Sequence, residues 1–110
     1  MLNRCAVTIR AKEPLLAWLL SLPDYADLTL DQVNEETTTY LLPVYETDSE
    51  KAALLEQYFD LLFDEELAGW WMAKHDWPEN RSLEMFKSWF DVDFHSVVVD
   101  LENVPLLDDD

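Results

Sequence analysis

The stretch Trp77-Pro78-Glu79-Asn80-Arg81-Ser82-Leu83-Glu84-Met85-Phe86-Lys87-Ser88-Trp89-Phe90-Asp91-Val92-Asp93-Phe94-His95-Ser96-Val97-Val98-Val99-Asp100-Leu101 changes its hydrophobic period midway. Met85/Trp89 and Leu83/Phe86/Phe90 recur at helical spacing, whereas from Val92 onward Phe94/Ser96/Val98 alternate with His95/Val97/Val99. The pattern predicts a short helix running into a strand. Pro78 presets φ for a first helical turn, and Asp76, three residues before Glu79, resembles a capping box. The unbroken Val97-Val98-Val99 has the composition of a strand covered on both faces, so this strand is expected at the centre of the sheet.

Upstream of it lies the longest helical pattern. Thr47 with Glu50 matches a capping box, Ala52, Leu55, Phe59 and Leu62 form a core face, and Leu54, Tyr58 and Leu61 lie beside it. Gly69, the only glycine, is placed to end this helix as a left-handed C′ residue. Thr37 to Tyr45 is β-branched and aromatic, a second strand that Pro43 confines to an edge. Between residues 23 and 36, Thr29 with Gln32 caps a single helical turn. Pro14 opens a helix with Leu15, Trp18, Leu19 and Leu22 on one face, and Pro23 ends it. In Asn3 to Arg10, Cys5, Val7 and Ile9 alternate with Arg4, Thr8 and Arg10, a strand with one buried face.

The order is β-α-β-α-α-β, a small two-layer α/β (α+β) domain of about three strands with helices packed on the sheet. It spans 1–104, and an acidic C-terminal segment follows at 105–110. A right-handed crossover is expected to make the first two strands parallel. The direction of the third stays open, since two helices precede it.

Charge narrows the function classes. Twenty-four Asp and Glu against seven Lys and Arg give a formal net charge of -17, which repels nucleic acid and anionic membrane and attracts basic proteins. No apolar run approaches the roughly 20 residues of a membrane span, and no signal-peptide pattern is present, so a cytoplasmic location is expected. Cys5 has no partner for a disulfide and points into the core as a structural thiol. One glycine is too few for a phosphate cradle, and Ser82, Ser88 and Ser96 lack the glycines of a nucleophile elbow. No cofactor and no metal are expected, because two histidines and one cysteine match no zinc spacing.

Two features mark a binding surface. Glu56, Asp60 and Asp64, spaced by four with Glu65 and Glu66 alongside, run as a negative stripe down the long helix, where each like-charge pair costs a few tenths of a kcal/mol. The stripe is read either as a solvated face or as an imitation of a phosphate row for a basic groove. Trp70, Trp71 and Trp77 gather where that helix ends, and adjacent residues there do not easily both face inward; one of the three is read either as an exposed anchor or as packed over the sheet edge. Arg81 is expected to pair with a nearby carboxylate. An alternative polar site is Asp93 with His95, on one face of the last strand and about 6.6 Å apart by strand rise, although His95 shares that face with Val97 and Val99, where a histidine is more often a core residue.

The segment from Trp77-Pro78 through Arg81, Met85-Phe86 and Trp89-Phe90-Asp91 to His95-Ser96 resembles one in small uncharacterised bacterial proteins. The resemblance implies a bacterial source and carries no activity or cofactor. The leading expectation is an acidic interaction or inhibitor module for a basic protein partner, acting through the helix stripe and a tryptophan. Catalysis or metal assistance at Asp93/His95, and a homodimer built on a sheet edge or the tryptophan patch, are the alternatives.

Overall fold

Along the chain run β1 (Arg4–Ala11), α1 (Glu13–Leu20), α2 (Leu30–Val33), β2 (Thr39–Pro43), α3 (Asp48–Trp70), a 3-10 turn (Lys74–Asp76), α4 (Leu83–Trp89) and β3 (Phe90–His95). The computed structural model describes residues 1–108; Asp109 and Asp110 of the expected acidic segment lie outside the described residues. Alternate residues of β1, Cys5, Val7, Ile9 and Ala11, are buried, as the period-two pattern predicts. The strand order is β2-β1-β3, all antiparallel, with Val7 opposite both Tyr40 and Phe94. The fold is therefore α+β, with helices on one face of a small sheet.

The expected parallel pairing of the first two strands is corrected by the sheet, in which they run antiparallel. A single crossover helix returns the chain to the start of β1, but here two helical pieces intervene. After α2, the Asn34 side chain bonds both backbone groups of Ala11, at the far end of β1, so β2 starts there and runs back.

The expectation for the Val97-Val98-Val99 strand is also overturned. β1 is central, β3 is an edge, and β3 stops at His95. β1 continues past the end of β3 as far as Arg4, and one backbone bond, from Leu2 N to Val98 O at 2.7 Å, ties the valines to the residues before β1. Val97 and Val99 are exposed.

Helix boundaries shift for local reasons. α3 passes straight through Gly69, whose φ is not positive, and ends in an extended Trp71. Tyr25 Oη donates to Trp70 O at 2.7 Å and Trp71 N to Leu67 O at 2.9 Å, so end carbonyls are satisfied without a left-handed residue. α4 begins after Ser82, whose Oγ accepts from Met85 N at 3.1 Å, rather than at Pro78. The Asp76 carboxylate is already bonded to Trp71 Nε1, and Asn80 at φ 55° turns the chain between Pro78 and the helix. The Thr47 cap and the Thr29/Gln32 capping box form as expected.

The core centres on Phe63 of α3, Phe86 of α4 and Phe90 of β3, with ring centroids 5.1 to 5.5 Å apart. On α3 the deepest residues are Leu62, Phe63 and Leu67, while Ala52 and Leu61 face solvent. At 23 residues, α3 is about 34 Å long, and its first turn sets Lys51 Nζ 5.9 Å from the Phe94 ring of β3.

Candidate functional site

The stripe is present on α3, but much of its charge is met within the fold. Arg81 Nη2 lies 2.8 Å from Asp60 Oδ1 and 2.5 Å from Asp64 Oδ1. The guanidinium, 13% exposed, stacks on Phe63 at 5.0 Å and on Trp77 at 5.9 Å. Glu56, one turn earlier, is exposed and has no cation against it among the described residues.

Trp70, Trp71 and Trp77 are each half-buried against the core. Trp71 Nε1 donates to Asp76 Oδ2 at 2.9 Å and Trp77 Nε1 to Trp71 O at 2.8 Å, while Trp18 Nε1 from α1 donates to Asp76 O at 3.0 Å. Trp70 meets the Tyr25 ring edge-on at 5.7 Å. These indoles hold the connection between α3 and α4, and Met72 between them is the side chain that stands in solvent.

The structure gathers a different set of carboxylates. About 100° per residue past Asp64, Glu65 and Glu66 turn off the stripe toward β2. There they border a cleft of about 400 Å³ whose other rim carries Glu35 and Glu36, from the loop after α2. Ile9, Leu15, Val33 and Trp70 supply its apolar lining. None of the four glutamates has a Lys or Arg within salt-bridge distance among the described residues. Glu66 Oε2 accepts from Tyr40 Oη at 2.5 Å. Burial pushes the Glu66 carboxyl above the usual carboxylate range, the Tyr40 hydrogen bond opposes that shift, and Glu65 adds to it. Burial and the Glu66 carboxylate together push the Tyr40 phenol well above its ordinary value. The cleft is lined by carboxylates, by Thr37 and Thr38 and by the Trp70 indole.

In the sequence Glu65 and Glu66 adjoin the stripe, whereas Glu35 and Glu36 are a separate pair just after α2. The two Glu-Glu pairs were visible. That Glu35 and Glu36 border the same cleft as the second pair follows from the tie between neighbouring Asn34 and Ala11, which no periodicity reports.

Asp93 and His95 lie on the uncovered face of the sheet, both exposed. Because β3 ends at His95, the histidine does not share a strand face with Val97 and Val99. Its Nε2 is 3.2 Å from Thr8 Oγ1 on the neighbouring β1. The described residues contain no group of three His, Cys, Asp or Glu placed to hold a metal ion. Among them, no helix is long and apolar enough to cross a membrane. No protein-family model matches the chain, and neither a curated protein nor a solved structure matches it.

Proposed function

We propose that the chain is a protein-interaction module that binds a basic partner, with the cleft between α2, β2 and α3 at the centre of the contact. The observation that carries this reading is that Glu35, Glu36, Glu65 and Glu66 line one cleft and, among the described residues, have no Lys or Arg within salt-bridge distance. A lysine or arginine side chain suits this lining: its stem lies on the partly exposed Trp70 ring while its head meets the carboxylates. The net charge of -17 supplies attraction at longer range, and Glu56 with the Arg81-bound Asp60 and Asp64 extends the negative surface along α3.

The test is calorimetric titration of the full chain with an arginine- and lysine-rich peptide at about 0.1 M salt. Replacing Glu36→Gln and Glu65→Gln together is expected to weaken binding about fivefold, since an exposed charge contributes up to about 1 kcal/mol. Glu56→Gln is expected to change it less than twofold. Equal weakening by all three positions would mean diffuse attraction with no cleft involved, and unchanged binding in the double variant would remove the cleft from the reading.

A further inference from the structure

Val97, Val99, Leu101, Val104, Leu106 and Leu107 are all exposed, from 58% to 92%. They fall within a stretch that contains no helix or strand and is joined to the residues before β1 by the bond from Leu2 N to Val98 O. Acidic segments that only solvate a chain are poor in apolar residues, because such residues gain nothing in water. This one is rich in them, and Asp100, Glu102 and Asp108 punctuate it. No Lys or Arg follows Lys87. The segment lies outside the core, whose packed residues among the described ones end at Phe94.

We propose that Val97–Leu107 is a linear docking segment, taken up in extended form by an apolar groove edged with Lys and Arg on a different protein. Charge selects this occupant. A second copy presents the same acids and a net charge of -17, and a bacterial or organellar membrane presents anionic headgroups. Val97, Val99 and Leu101 recur at period two, so an extended backbone sends all three into one groove while Val98 and Asp100 face away. Pro105 lacks an N–H, which limits added-strand pairing to the residues before it. None of these residues lines the glutamate cleft, so the segment and the cleft fail or succeed separately.

The experiment immobilises the full chain and, in parallel, the Leu101→Ser/Leu106→Ser variant, at about 0.1 M salt over lysate of the source cell. Each protein retained only by the natural sequence is then purified and titrated against both chains. Both leucines are exposed, so the variant is expected to fold unchanged. Support is a purified basic protein whose affinity drops at least tenfold in the variant, is unaffected by Glu36→Gln/Glu65→Gln, and is competed by a peptide of residues 96–108. The proposal is overturned by any of four results: no protein distinguishes the two chains, the purified protein binds both equally, light scattering shows a dimer that the variant dissolves, or phosphatidylcholine vesicles bind the natural chain and not the variant.

Discussion

The side chain of Asn34 stands in for a strand beside Ala11: its Oδ1 accepts from Ala11 N at 2.8 Å and its Nδ2 donates to Ala11 O at 3.0 Å. β2 begins only at Thr39, paired with Thr8, so without this amide the last peptide groups of β1 have no partner on that side. The contact also fixes where the chain turns back and therefore the antiparallel sense of β1 and β2. Asn34→Ala removes two hydrogen bonds and leaves a half-buried donor and acceptor unpaired, an expected loss of about 2 to 3 kcal/mol in urea unfolding. Asn34→Asp keeps the acceptor for Ala11 N but sets a carboxylate against Ala11 O, and is expected to be at least as destabilising.

Arg81 joins α3 to the loop before α4 through two carboxylates and two rings. Asp60 and Asp64 are partly solvated, so screening reduces the ionic share, and the stacked, nearly buried guanidinium contributes more by packing. Arg81→Lys keeps the charge but loses the planar fork and the stacking. It is expected to lower the melting temperature by several degrees, with Arg81→Met close to it. A Lys variant as stable as the natural chain would show that charge alone matters at this position.

Phe63 touches the rings of Phe86, Trp89 and Phe90 at 5.5 Å and carries Arg81 on its own ring. Phe63→Ala is expected to cost about 3 to 5 kcal/mol. Against the roughly 5 to 15 kcal/mol of a domain this size, that leaves the fold marginal, visible as lost near-ultraviolet dichroism at moderate temperature. Met72→Ser, at a side chain 78% exposed, is expected to stay within about 0.5 kcal/mol.

What the sequence made legible followed from short-range physics. Alternation in Cys5, Val7 and Ile9 reports a buried face whichever strands lie alongside, and Thr47 and Thr29 cap helices through bonds only three residues long. The misreadings came from contacts distant in sequence. Gly69 looked like a helix end because the Tyr25 hydroxyl that satisfies the Trp70 carbonyl lies 45 residues away. The three valines looked buried because composition cannot reveal that the chain leaves the sheet after His95, while β1 continues to Arg4. The glutamate cleft was hidden for the same reason, since Glu35 and Glu66 come to line one cleft only through the fold.

The bond from Tyr40 to Glu66 gives the stability a defined pH dependence. Burial raises the Glu66 carboxyl above its unfolded value, so the folded chain holds that proton more tightly than the unfolded chain does. This contribution is fully present below the ordinary carboxylate range and is lost as pH rises through the raised value. Glu66→Gln keeps an acceptor for Tyr40 Oη without a charge. It is expected to be more stable than the natural chain at pH 8 and to lose that advantage at acid pH, so the two melting curves converge on acidification. Tyr40→Phe leaves the half-buried carboxylate without its donor and is expected to cost about 1 to 3 kcal/mol at pH 8, less where Glu66 is protonated. Parallel melting curves for Glu66→Gln and the natural chain across this range would mean that Glu66 titrates as an ordinary exposed carboxylate.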